Sequence, residues 1–314
     1  MYDNCLESIF CANVGYLFRE ILARVGVPFF FIVSGYYFYT KNAEELHFTK
    51  EVYISKLRKR VNTLLIPYLL WNLFCILYYF GAPYVGLANK SILSFGDFLR
   101  GFFAQGDMLP ANYPLWYVRD LMFLCILSPI IYPLIKYLKT ITILLCAIPF
   151  MLNLDFGMEN NHVVQQSIFF FPLGAYFAIE GKNIVYYCRK IKWAVPLYVF
   201  LIVADLIMKN VYLNRFGIIV GLIALFNVVS YFVENNKLKE NKFLSNASFF
   251  LFAFHGLPLM ILASRMQAIL PHTDWAYTLI FFSSVIIVAL LGLGLYAFLK
   301  RSFPKFTLVI TGGR

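Results

Sequence analysis

Four groups of side chains in this 314-residue chain could do chemistry. His255, in FLFAFHGLPL, can exchange a proton near neutral pH and act as a base. It can equally be a buried neutral imidazole bonded to a neighbouring helix. Arg58 and Arg60, in SKLRKRVNTLLIP, carry planar forks that match phosphate oxygens, and the same cations suit a topology anchor on lipid phosphate. Trp116 and Tyr117 have the character of an interfacial aromatic belt. Arg119 and Asp120 then either pair with neighbours or line a polar cavity. Ser34-Gly35, just past Phe29, Phe30 and Phe31, is a place where a ligand or another backbone can come close. No metal site is expected: His47, His162 and His272 fall in loops, and no HxxxH spacing occurs. The six cysteines form no CxxC pair and read as small packing residues, with a Cys5–Cys11 bridge the one conceivable cross-link.

The setting of these residues is a membrane. Apolar residues make up 61% of the chain and charged ones 14%, against about 25% charged in a soluble globule, which leaves too little polar surface to cover a core in water. Nine apolar runs are predicted as spans, at about 20–40, 62–80, 114–135, 140–156, 164–181, 193–209, 213–233, 244–270 and 276–299. The fold class is therefore all-α, a polytopic helix bundle, with 1–314 forming a single integral-membrane domain. No soluble domain, internal repeat or N-terminal signal peptide is visible. FGDFLRGFFAQG, in the longest loop, has the pattern of an amphipathic helix at the interface. The net charge of +11 reflects basic loops against anionic headgroups, not nucleic-acid binding.

Lys and Arg alternate in number from loop to loop. Loops on one side hold 19 and those on the other hold six, which places the C-terminus in the cytoplasm. Nine spans then put the N-terminus outside, whereas one further span before Met1 would return the start of the chain to the inside. In this orientation Ser34-Gly35 lies in the inner third of the first span and Arg58 and Arg60 lie at the cytoplasmic face. Trp116, Tyr117, Arg119 and Asp120 lie near the outer face. His255, eleven residues beyond Leu244, is about 17 Å deep. Asp205 and Arg265 are expected to reach the interface with their side chains.

Five stretches in order resemble one family, the bacterial integral-membrane acyltransferases called acyltransferase family three. RVGVPFFFIVSGYYF resembles its FFxxSG signature, and LRKRVNTLLIPYLLW its basic lead-in to a helix with Pro and an aromatic. PLWYVRDLMFLCILSPIIYPL resembles its LWFL-type span, FLSNASFFLFAFHGLPL its late span with a histidine, and SFPKFTLVITGGR the closing Pro and TGxR of some members. The resemblance implies a ten-helix protein that moves an acyl group, commonly acetyl, from cytosolic acyl-CoA to a sugar hydroxyl of a surface glycan. Acyl-CoA is then a donor substrate and no cofactor is bound. The partners are the lipid bilayer, acyl-CoA and a glycan acceptor, in the bacterial cytoplasmic (inner) membrane. Arg58, Arg60, Ser34 and Gly35 would serve the donor side, and Trp116, Tyr117, Arg119 and Asp120 the acceptor side. The family carries its principal histidine in a first helix that has no counterpart here, and His255 matches a different family position.

Two rivals come from other classes. A glycan or small-molecule transporter also uses polar residues among many helices, but inverted or parallel repeats would accompany it. A catalytically impaired membrane partner, lacking the family histidine, would have no Arg- and His-bearing span encoded upstream of Met1. The orientation predicts that a tag fused after Gly313 resists protease added to intact cells and is digested once the membrane is opened; digestion in intact cells would reverse the topology.

Overall fold

Apolar runs punctuated by Asn, Pro and Gly become helices in a computed structural model, which describes residues 9–40, 48–81, 94–103, 109–154 and 161–313. In order they are α1 (Ala12–Thr40), α2 (Lys50–Gly81), α3 (Phe95–Phe103), α4 (Trp116–Ile126), α5 (Ser128–Leu138), α6 (Thr140–Leu152) and α7 (Asn161–Ile179). There follow α8 (Ile184–Lys190), α9 (Ala194–Met208), α10 (Val211–Glu234), α11 (Lys242–Phe254), α12 (Gly256–Ile269), α13 (Asp274–Ser302) and α14 (Pro304–Thr311). Among the described residues no strand forms. Helix starts follow the asparagines: the side-chain oxygens of Asn183, Asn210 and Asn241 accept from the first free N–H groups of α8, α10 and α11.

Among the described residues four helices, α1, α2, α10 and α13, are long and apolar enough to cross a membrane by themselves. Three more candidates are bent pairs: α4–α5 at 66°, α7–α8 at 104° and α11–α12 at 62°. α6 and α9 are shorter apolar helices. The expected positions thus all carry helix, but the spans read as 114–135 and 244–270 are broken, at Leu127 and His255. The basic stretch before Arg60, read as a loop, is helical and continuous with the span that follows. Its 32 residues reach about 48 Å, well beyond the hydrocarbon thickness. The region 95–106 does begin with a helix, α3. His162 lies in the first turn of α7 and not in a loop, its side chain outside the described residues, as are His47, Cys5 and the bridge considered for it. Cys75, Cys125, Cys146 and Cys188 are free thiols.

The chain packs into two compact units. One comprises residues 57–122 and 241–314, together with 1–11, and the other residues 12–56 and 123–240. In the second unit α1 and α7 meet backbone to backbone. A Cβ on Gly35 would overlap the Phe171 carbonyl, and one on Gly174 would overlap that of Ile32. Two glycines, each facing a carbonyl of the opposite helix, are the small-residue contact that lets membrane helices approach. The space beside Gly35, offered by the sequence to a ligand or a helix, is taken on its Cβ side by α7, the helix contact of those two readings. Ser34, its neighbour, is half-buried on α1.

The same unit shows how a broken helix is kept whole. At Leu127 the Ser128 hydroxyl donates to the Cys125 carbonyl at 2.7 Å, the Tyr53 hydroxyl to Ile126 at 3.1 Å and the Tyr39 hydroxyl to Ser128 at 3.1 Å. Gly174→Val is expected to cost about 1–3 kcal/mol or more by forcing α1 and α7 apart, read as a lowered thermal midpoint in detergent. Gly26→Ala, on the same α1 but facing open space, should leave the midpoint unchanged or slightly raised.

Candidate functional site

His255 sits at the break between α11 and α12, half-buried. Its backbone N–H donates to Leu251 at 3.0 Å, and Nδ1 lies 3.2 Å from the same carbonyl. A carbonyl only accepts, so this contact assigns the proton to Nδ1 and leaves the lone pair on Nε2. The Tyr113 ring stands edge-on at 6.4 Å and the Phe252 ring is tilted at 6.1 Å. Pro114 lies against Gly256.

The segment 109–115 crosses this break and is fastened through Ala111 and Asn112. The Ala111 N–H donates to the Gly101 carbonyl at 2.7 Å. The Asn112 N–H donates to Asn72 Oδ1 at 3.0 Å, and Asn112 Nδ2 to the Ala253 carbonyl at 2.8 Å. Asn72 Nδ2 returns to the Tyr68 carbonyl at 2.9 Å. Asn72 and Asn112 are 0% and 2% exposed. A buried amide is costly unless bonded, so these bonds hold the segment against the helix break that presents His255. Asn112 Oδ1 is buried with no hydrogen-bond partner among the described residues.

Arg119 and Asp120 belong to the same fastening. Arg119 Nε and Nη2 donate to Asp120 Oδ1 at 3.1 and 3.0 Å, and Nη1 donates to the Phe103 carbonyl at 2.8 Å. The Tyr68 hydroxyl donates to the Phe102 carbonyl. The last three carbonyls of α3, at Gly101, Phe102 and Phe103, thus take donors from Ala111, Tyr68 and Arg119, which satisfies the acceptors a helix end leaves orphaned. Of the two readings open for Arg119 and Asp120, the structure shows pairing with neighbours. Trp116 and Tyr117 are half-buried at the start of α4, with Tyr117 edge-on to Phe252 at 5.9 Å.

Arg58 is exposed and Arg60 half-buried near the start of α2. Two positions apart on one helix, they project about 200° apart and do not form one clamp. A π-helical turn, Val61–Leu65, follows them. The chain's last turn docks on it: Trp71 Nε1 donates to the Ile310 carbonyl at 3.0 Å, and Gly312, at φ 69°, lies so close to the Thr63 carbonyl that a Cβ would overlap it. That explains a glycine in the closing TGGR.

The second unit holds a polar cavity of about 300 Å³ that the sequence reading did not find. α1 enters it through a π-helical turn, Leu17–Leu22, a feature frequent at functional sites. Glu20 receives Arg19 at 2.9 Å and Arg24 Nε at 3.0 Å. Arg215, 5% exposed, donates through Nη1 to the Phe150 carbonyl and to Gln165 Oε1, and through Nη2 to Asn153 Oδ1. Its guanidinium carbon lies 5.0 Å from the Phe150 ring centre. Asp205 is 2% exposed, which corrects its expected reach to the interface. It accepts from Asn214 Nδ2 at 2.7 Å and from the Tyr16 hydroxyl at 3.4 Å. Arg265 is exposed. Among the described residues no group of His, Cys, Asp and Glu could hold a metal ion.

The family model described as "Acyltransferase domain", acyltransferase family 3, matches residues 8–296. The chain belongs to this family. It is a multi-pass membrane acyltransferase, of the class that transfers groups other than amino-acyl groups. It is also similar to the succinoglycan biosynthesis protein ExoH of Rhizobium meliloti (strain 1021), 26% identical over 98% of this chain and 85% of that protein. No solved structure matches it.

Asn72→Ala and Asn112→Ala should each cost about 1–3 kcal/mol. Because both act on one segment, the double variant should lose less than the sum. Thermal unfolding in detergent reads this, and strictly additive losses would mean that the two asparagines act independently.

Proposed function

We propose that this protein moves an acyl group, commonly acetyl, from cytosolic acyl-CoA to a hydroxyl of an exported polysaccharide, in the bacterial cytoplasmic membrane with its C-terminus inside. The observation that carries the reading is the acyltransferase family match along 8–296. The name of the similar ExoH protein, which assigns it to succinoglycan biosynthesis, supports a polysaccharide acceptor. The 19-to-six partition of Lys and Arg supports the orientation. Arg58 and Arg60 then lie on the side where the CoA phosphates arrive, and because they project to different faces each meets a different phosphate.

The chemistry needs a base that takes the acceptor's hydroxyl proton as its oxygen attacks the thioester carbonyl. The carbon–sulfur bond breaks and CoA leaves as the thiol. His255 Nε2, with its lone pair available, is the group assigned here to that proton. Its ring is positioned by the Leu251 carbonyl and by Tyr113. General-base catalysis is worth about 10²–10⁴ in rate.

Membranes carrying the protein, supplied with radiolabelled acetyl-CoA, are expected to transfer label to surface polysaccharide. His255→Ala should lower transfer at least about a hundredfold, and Arg60→Ala should abolish it with normal insertion. Absence of label from glycan in membranes with well-inserted wild-type protein would overturn the reading; unchanged turnover in Arg60→Ala would reduce Arg60 to an anchor.

A further inference from the structure

We infer that the cavity bounded by α1, α6, α7 and α10 binds an anionic saccharide through Arg215, the sugar's carboxylate resting on the guanidinium. The inference deepens the proposed function by naming the acceptor's chemical class, and it rests on that reading.

The lining contains the cations Arg24, Lys209 and Arg215 against one carboxylate, Glu20. Glu20 is committed to Arg19 and Arg24. Arg215 has no carboxylate partner among the described residues, and three of its five N–H bonds go to the Phe150 carbonyl, Gln165 and Asn153. All three acceptors are neutral, so the buried positive charge is hydrogen-bonded but not neutralised by them. Two N–H groups remain, Nε–H and one on Nη2, and guanidinium N–H groups are donors suited to a carboxylate. A buried cation held by neutral acceptors is favourable to an incoming anion, because the desolvation has already been met in the folded protein.

The rest of the lining suits a sugar. Asn153 and Gln166 bring amide groups to the lining, and the Tyr16 hydroxyl and Asn214 Oδ1 remain as acceptors, partners that sugar hydroxyls can use. Asn214 is fixed by two bonds from Nδ2, to the Glu20 carbonyl at 2.9 Å and to Asp205 at 2.7 Å. The volume of about 300 Å³ lies at the small end of the range for small-molecule sites, which favours one or two sugar rings over a long acyl chain. In the proposed orientation these residues all lie at the outer ends of their helices, where an exported polysaccharide arrives.

The test uses the full chain in nanodiscs and saturation-transfer NMR, with sodium D-glucuronate as probe. Glucuronate should receive saturation, with D-glucose at least tenfold weaker, and inorganic phosphate should compete. Arg215→Lys should weaken the glucuronate signal at least fivefold. Should that buried variant not fold, Lys209→Met, on an exposed residue, should weaken it at least twofold with an unchanged thermal midpoint. Equal signals from glucose and glucuronate, or wild-type binding in folded Arg215→Lys, would overturn the inference. So would a signal seen in phosphatidylcholine discs and lost in phosphatidylglycerol discs, which would make a lipid headgroup the occupant. Acyl transfer to glycan without glucuronate binding overturns this inference alone, whereas binding without transfer overturns the proposed function alone.

Discussion

A hydrocarbon surrounding offers no water to a backbone amide or carbonyl, so wherever a helix stops or bends the freed groups must find partners inside the protein. This constraint organises the molecule. At Leu127 three hydroxyls, from Tyr39, Tyr53 and Ser128, take up the carbonyls around the bend. At the end of α3 the donors are Ala111, Tyr68 and Arg119. At the break before His255 the Ala253 carbonyl receives Asn112, and in the last turn of the chain the Ile310 carbonyl receives Trp71.

Irregular backbone in a membrane is tolerated where it is buried in protein or lines a cavity, and broken helices are common at the sites of membrane proteins. Both features occur here. The α11–α12 break presents His255, with a ring tautomer set by the Leu251 carbonyl. The π-helical turn of α1 brings Glu20 to a cavity that also holds Arg215 and Asn214. In each case the polar side chain is bonded into the fold: His255 through Nδ1 to the Leu251 carbonyl, and Arg215 to the Phe150 carbonyl, Gln165 and Asn153.

Much of the fold was legible because it follows from short-range pattern. Apolar runs marked the helices, and the family sentences from RVGVPFFFIVSGYYF to SFPKFTLVITGGR marked the class. Pro258 marks a helix loosened beside His255 with a freed carbonyl, but Pro129 did not reveal the bend at Leu127, since a proline in a span is also compatible with a straight helix whose neighbours re-satisfy it. The roles of Asn72, Asn112, Asp205 and Arg215 were not legible, because their partners are far away in sequence: Asn112 meets Ala253, 141 residues on, and Tyr16 meets Asp205, 189 residues on. A single Asn in an apolar run carries no mark of the carbonyl it will meet. Arg119 and Asp120 could be singled out as costly, but the choice between pairing and lining a cavity needed the position of Phe103.

The fastening of the segment across the His255 break is the claim on which the arrangement of the site stands. Hydrogen–deuterium exchange of the protein in nanodiscs, followed at peptides covering 109–115, addresses it directly. The account predicts strong protection of the Ala111 and Asn112 amides in the wild type and its loss in Asn72→Ala. Rapid exchange of both amides in the wild type, at the rate of an unstructured peptide, would contradict it.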